Sequence, residues 1–134
     1  MRKSEQKLWD AMKRRAPQGW WLQRVENLMG AGMPDVLVVS PTGRSCWIEL
    51  KAPTKPKRPT TPLLGNGGLR CEQINWHIKA RDTGLSSCVL ARDDQGGLYL
   101  VGNEHAAYMN AMSVDQLLEC SVANHWDGVW EILA

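Results

Sequence analysis

A chain of 134 residues, 43% hydrophobic and 22% charged, has the length and composition of one globular domain and is too short for two. It has no internal repeat, no low-complexity tract and no apolar run near the ~20 residues needed to span a membrane. Its opening residues, Met1-Arg2-Lys3-Ser4-Glu5-Gln6, lack the apolar core of a signal peptide, so a cytosolic setting is expected. Four scattered cysteines (Cys46, Cys71, Cys88, Cys120) include no C-x-x-C pair, and the histidines (His77, His105, His125) share no helical metal-site spacing. Reduced, packed thiols are therefore expected rather than disulfides or a zinc site. Net charge is +2, but residues 1–70 carry 13 Lys/Arg against 5 Asp/Glu, and residues 71–134 carry 3 against 9. Such asymmetry suits a polyanionic partner on one side, though solvated charge with no partner gives the same numbers.

In chain order, residues 4–15 read as a helix, with Ser4 as N-cap and an inward stripe of Leu8, Trp9 and Met12. Ala16-Pro17-Gln18-Gly19 stops it, and Trp20-Trp21-Leu22-Gln23-Arg24-Val25 reads as a strand. A small-residue loop, Met29-Gly30-Ala31-Gly32-Met33-Pro34, leads into two strands, Asp35–Val39 and Cys46–Lys51, joined around Ser40-Pro41-Thr42-Gly43-Arg44. Ser, Pro and Gly at these turn positions fit a type I turn, with Gly43 at the left-handed position of a hairpin loop. Residues 52–69 hold four prolines and three glycines and read as one long loop, the kind that is functional or disordered. A helix is predicted at about 70–82, strands at about 86–92 and 97–102, a helix at 113–120 capped by Ser113, and a last strand at about 128–133.

The hairpin concentrates chemistry. Alternation puts Glu49 and Lys51 on one strand face, and pairing Ser40 with Arg44 puts Asp35 directly opposite Glu49. Opposed carboxylates repel, which a fold selected for stability alone avoids. A hard divalent cation removes the repulsion, since Mg²⁺ takes oxygen ligands and is commonly held by one or two carboxylates. Glu5 falls on the inward stripe of the first helix at i−3, i−4 and i−7 to Leu8, Trp9 and Met12, and offers a third carboxylate. The alternative for Glu5 is a place beyond the core edge, favouring the helix N-terminus. An ordinary hairpin with Glu49 and Lys51 on its surface is the alternative for the whole arrangement.

Gly32-Met33-Pro34-Asp35, thirteen spacer residues and then Glu49-Leu50-Lys51 resemble the signature of the PD-(D/E)xK nucleases. The extra glycine before the proline, with Gln73 at the start of the next helix, resembles the virus-type replication and repair (VRR-NUC) branch. The resemblance covers about residues 5–102. It implies an α/β fold, a mixed central sheet flanked by helices of restriction-endonuclease-like type, with Mg²⁺ or Mn²⁺ as cofactor and phosphodiesters as substrate. Carried over by position, it makes Asp35 and Glu49 metal ligands, Lys51 the residue that orients or activates water, and Gln73 a support for the site. Glu5 matches the acidic residue of the family's first helix. Stand-alone members of the branch resemble Holliday-junction resolvases, which implies a homodimer acting on branched DNA in a bacterial or phage-infected cytosol. The long proline-rich segment between Lys51 and Gln73 departs from the pattern and bears on substrate preference.

Lys55, Lys57 and Arg58 in that loop, and Lys13, Arg14 and Arg15 on the first helix, are candidate phosphate contacts, with solvated charge as the alternative. On the helix from residue 70, Cys71, Ile74 and Ile78 form one face, expected to pack on the sheet. Gln73, Trp76, His77 and Ala80 form another, which would carry Gln73 to the site. His77 itself reads as surface or packed. Trp9, Trp20, Trp47 and Trp76 are assigned to the core, and Trp126 and Trp130 to core, a dimer contact or a base-stacking surface. The reading is thus a metal-dependent structure-selective DNA endonuclease over residues 1–134. A flap or nick nuclease, an RNA nuclease, and a non-catalytic nucleic-acid-binding module are its competitors.

Overall fold

The computed structural model describes residues 2–25, 30–65 and 67–134. Met29 and Asn66, which fall in the two predicted loops, lie outside the described residues. Among the described residues no helix is long and apolar enough to cross a membrane.

Helix α1 runs Lys3–Arg15 and buries Leu8, Trp9, Ala11 and Met12. Glu5 in its first turn and Lys13, Arg14 and Arg15 in its last complement the helix dipole. Ser4 lies inside the helix and is not its cap; Arg2 holds that position without a side-chain bond. Five strands follow the predicted places within a residue or so: β1 Trp21–Arg24, β2 Val36–Val39, β3 Ser45–Lys51, β4 Ser87–Arg92 and β5 Leu98–Gly102. They form one sheet in the order β1-β2-β3-β4-β5. The β3–β4 pair is parallel and the other three pairs are antiparallel. A parallel pair needs a crossover, and helix α2, Cys71–Thr83, supplies it. The predicted mixed sheet flanked by helices is the fold of this chain.

The predicted hairpin register is found, with Val36 opposite Ile48 and Val38 opposite Cys46. Ser40 N–H donates to Arg44 O at 2.8 Å, and Gly43 takes a φ of +87° that side chains other than glycine rarely adopt. Alternation along β3 and β4 divides the core between the two sheet faces. Val36, Val38, Ile48, Leu50 and Leu90 pack with α1 and with helix α4, Trp126–Leu133. Val89, Ala91, Tyr99 and Val101 pack on the other face with Leu63, Leu64, Leu69, Met109 and Leu117, the last from helix α3, Val114–Cys120.

Three further expectations need correcting. Residues 128–133, predicted as a strand, belong to α4, because Val129, Trp130 and Leu133 are buried at helical spacing while Glu131 and Ile132 are exposed. Their β-branched and aromatic content imitated a strand, and the cap that starts the helix, His125 Nδ1 accepting from Gly128 N–H at 3.1 Å, is not a common capping side chain. The proline-rich segment holds no helix or strand among its described residues, as expected, but its second half is packed inward. There Leu63, Leu64 and Leu69 are core residues, Leu63 N–H donates to Met112 O, and the Asn110 side chain brackets both backbone groups of Leu69. On α2 the buried face is Gln73, His77 and Ala80, while Cys71 is exposed and Ile74 and Ile78 are half-buried. Lastly, Trp47 and Trp76 meet edge to face at 6.2 Å but are only half-buried, so of the four tryptophans assigned to the core only Trp9 is fully enclosed. The remaining one, Trp20, is partly buried against the core, its ring 5.2 Å from that of Trp130.

The cysteines are free thiols, with Cys46 and Cys88 buried and their Sγ atoms 3.6 Å apart. Ser113 caps α3 as expected, in a reciprocal box with Gln116.

Candidate active site

Glu49 and Lys51 sit on β3 opposite Val89 and Ala91, on the sheet face covered by α2. Glu49 is 1% exposed, far from the surface position its ordinary-hairpin alternative requires. Asp35 lies just before β2, in register with Glu49. One of its carboxylate oxygens accepts the Leu50 N–H at 2.9 Å, which ties the two strands together beside Glu49.

Gln73 connects the remaining groups. It occupies the third position of α2, where its Oε1 reaches back to the Arg70 N–H at 2.9 Å and satisfies an orphan donor of the helix start. That bond fixes the amide so that the same Oε1 accepts from Lys51 Nζ at 3.2 Å while Nε2 donates to Glu49 Oε1. Lys51 Nζ stands 3.9 Å from Glu49 Oε1. Four sequence-predicted residues, Asp35, Glu49, Lys51 and Gln73, are thereby brought together.

The glycine that precedes the Pro-Asp pair has a physical reason. Gly32 has a φ of +86°, and a Cβ there would overlap the Glu72–Gln73 peptide at the start of α2. The loop and the helix that carries Gln73 are thus in backbone contact, possible only without a side chain. Residue type alone marked Gly32 as part of a pattern and gave no hint of this contact.

Glu5 comes from α1, on the opposite sheet face, with its side chain 14% exposed and 4.0 Å from the Arg2 guanidinium. Burial raises its pKa; the Lys51 charge opposes that and the Asp35 charge adds to it, so Glu5 lies within electrostatic reach of both. Glu49 is perturbed more. Burial, then the charge of Asp35, push it up to about 9 against the opposing pull of Lys51. One of its oxygens, Oε2, is buried with no hydrogen-bond partner.

A divalent cation fits the chemistry of this donor set. Three carboxylates face one another electrostatically, and a buried carboxylate oxygen without a donor is costly unless an ion or proton satisfies it. Among the described residues no three His, Cys, Asp or Glu side chains are drawn together tightly enough to form an ion cage.

The other predicted contacts are dispersed. Lys55, Lys57 and Arg58 are exposed and make no ion pair among the described residues; the Lys55 N–H donates to Asp94. Lys13 pairs with Asp10 at 3.6 Å and lies over the Trp9 ring, which fits the solvated-charge alternative. His77 is fully buried behind Gln73, its Nδ1 2.9 Å from Ser87 Oγ, and burial lowers its pKa to about 4. It is a packed histidine. Arg2 was not foreseen as a neighbour of the site, because nothing in its sequence position ties it to Glu5 beyond the i, i+3 spacing.

No protein-family model matches the chain, and no curated protein sequence matches it. Among solved structures it is similar to Hjc, a Holliday junction resolvase from the archaeal hyperthermophile Archaeoglobus fulgidus. The match has a TM-score of 0.59 at 14% identity and covers 95% of this chain and 96% of that one, which establishes a shared fold over nearly the full length of both.

Proposed function

We propose that the chain is a divalent-metal-dependent nuclease that hydrolyses phosphodiester bonds in branched DNA. The observation that carries the reading is the buried Asp35–Glu49–Lys51–Gln73 cluster, in which a carboxyl is held near a pKa of 9 with one oxygen unpartnered. Structural ion pairs do not look like this: they satisfy their oxygens, and burying an unsatisfied one costs stability. Perturbed carboxyls of this kind concentrate at functional sites. The resemblance to PD-(D/E)xK nucleases of the VRR-NUC branch and the fold shared with a junction resolvase support the same reading from independent directions.

Glu5, Asp35 and Glu49 would hold Mg²⁺ or Mn²⁺. The chemistry supplied when such an ion is bound is neutralisation of phosphate charge and acidification of a water molecule. The chain's own groups do the rest. Gln73 fixes the Lys51 ammonium and the Glu49 carboxylate relative to each other, so neither needs to reorganise during the reaction. Lys51 places a positive charge where an attacking water and a non-bridging phosphate oxygen would lie. Asp35, braced by the Leu50 N–H, is held in one orientation. The resolvase likeness supports branched DNA as the substrate, and a homodimer is proposed because its two-fold axis would match the symmetry of a four-way junction.

The test is a panel of labelled four-way junction, flap, nicked and blunt duplex DNA, and RNA, incubated with the protein with and without Mg²⁺. Metal-dependent cleavage of the junction in preference to blunt duplex is expected. Absence of cleavage on every substrate with both Mg²⁺ and Mn²⁺ would leave a nucleic-acid-binding module.

A further inference from the structure

A recess of about 880 Å³ opens beside the acid–lysine cluster but is not part of it. It starts at Ser4 and Lys7, which bracket Glu5 on α1, and at Ala52, Pro53 and Thr54, which directly follow Lys51. Arg92 from the end of β4, His125 and Trp126 at the start of α4, and Arg15 of α1 also line it. Of the basic residues assigned to DNA from sequence, only Arg15 lies in it.

We propose that this cleft binds an unpaired nucleic-acid strand and leads it to the cleavage site. Two kinds of group are needed to hold a single strand without sequence preference: cations for the backbone and flat aromatic surfaces for the bases. Lys7, Arg15 and Arg92 supply the first. Trp126 supplies the second: it stacks on Trp130 at 6.1 Å with the planes 19° apart, so the core braces one side of it while the ring stays half-buried on the cleft wall. The neighbouring imidazole of His125 is fixed by its bond from Gly128 N–H. Among the acids lining the cleft, Asp93 is buried and saturated by Gln95 N–H, Gly97 N–H and the Tyr99 hydroxyl, and Asp94 accepts the Lys55 N–H. Those donors are neutral, so Asp93, Asp94 and Asp127 together oppose the three cations in formal charge, and affinity depends on stacking more than on phosphate contacts. A recess of this volume admits a few nucleotides of one strand; a duplex, with its bases turned inward, offers nothing to stack on Trp126. The cleft therefore selects substrates that present an unpaired stretch next to the scissile phosphate.

The inference rests on the nuclease reading for its purpose, and its test does not. Binding of fluorescent oligothymidylate, oligouridylate and blunt duplex is measured for the metal-free full chain by anisotropy, with tryptophan quenching followed in parallel. Single strands are expected to bind more tightly than duplex. Trp126→Leu should weaken single-strand binding about 5- to 150-fold, the range that one base–aromatic stack carries. Lys7→Ala with Arg92→Ala should lower the salt slope by up to about 1.4, or ~0.7 per lost contact. If Trp126→Leu does not fold, the Lys7/Arg92 pair, on side chains outside the core, decides alone. Unchanged single-strand affinity in the folded variants, or equal binding of duplex and single strand by the parent protein, overturns the proposal. Loss of binding to oligothymidylate alone identifies the strand as DNA, loss for both identifies either strand, and both results support the cleft. A parent protein that binds strands here but cleaves nothing would sink the nuclease reading and leave the cleft standing. Cleavage by the parent together with unchanged single-strand binding in the folded cleft variants would do the reverse.

Discussion

Replacing Glu49 by glutamine should stabilise the metal-free protein, and do so increasingly as pH rises. In the folded chain the carboxyl titrates near 9 instead of 4.5, for reasons that begin with burial and continue with Asp35. Across that window the native state holds a proton that the unfolded chain has released. The unfolded state then binds fewer protons, so stability is fullest below about pH 4.5 and is lost as pH climbs toward 9. A full proton corresponds to about 1.4 kcal/mol per pH unit, which between pH 5 and pH 8 sets an upper limit of about 4 kcal/mol. Local relaxation around a coupled buried pair brings the expected loss to roughly half of that. Glutamine keeps the acceptor for Gln73 Nε2 and cannot ionise, so its stability should be nearly flat over the same range. Urea denaturation of both proteins in EDTA at several pH values measures the difference directly. Adding Mn²⁺ should then raise the parent's stability and leave the variant's nearly unchanged, because an ion that binds only the folded state stabilises by mass action. If the two pH profiles run parallel, Glu49 is an ordinary ionised carboxylate and the electrostatic account of the site is wrong.

Gly32→Ala should cost more than 2 kcal/mol, the sum of a strained backbone and a methyl forced against the start of α2; a melting temperature within a degree of the parent's would refute that packing. Leu64→Ala, at a residue 1% exposed in what reads as a loop, should lose about 2–4 kcal/mol, as core truncations do, and a surface-like loss below 0.5 kcal/mol on denaturation would contradict it. Changing Lys55, Lys57 and Arg58 together to alanine should flatten the salt dependence of duplex-DNA binding by up to about 3 units with little effect on cleavage at saturation; coincident slopes would mark these charges as solvated.

The sheet and the hairpin register were legible because they rest on local signals: alternation in Cys46–Lys51, the Ser40–Arg44 turn and its glycine. The register that set Asp35 against Glu49 by counting is found as far as the Val36–Ile48 pair, one residue short of them. Gln73 was expected at the site, but through the wrong geometry: the face of α2 that carries it is the one that packs on the sheet, although it bears Gln73 and His77 and not Ile74 and Ile78. Hydrophobic periodicity cannot find a helix whose inner face is polar because it serves a site and a buried Ser87 bond. The same blindness turned α4 into a strand, and no local pattern announced that Leu63, Leu64 and Leu69 of the proline-rich loop are core residues, since long-range contacts such as those with Met112 and Asn110 hold them. The recess lined by Lys7, Arg92 and Trp126 joins segments some eighty to a hundred and twenty residues apart, and no spacing within the sequence announces it.

The central claim is that Asp35, Glu49 and Lys51 form one hydrolytic centre. Cleavage of a labelled four-way junction in Mg²⁺ by the parent, Glu49→Gln and Lys51→Ala proteins, each first shown to fold and to bind the junction, tests it most directly. The account predicts cleavage by the parent and a loss of at least about 100-fold in both variants with binding retained. Cleavage by Glu49→Gln at the parent's rate would contradict it and place the chemistry, if any, elsewhere in the chain.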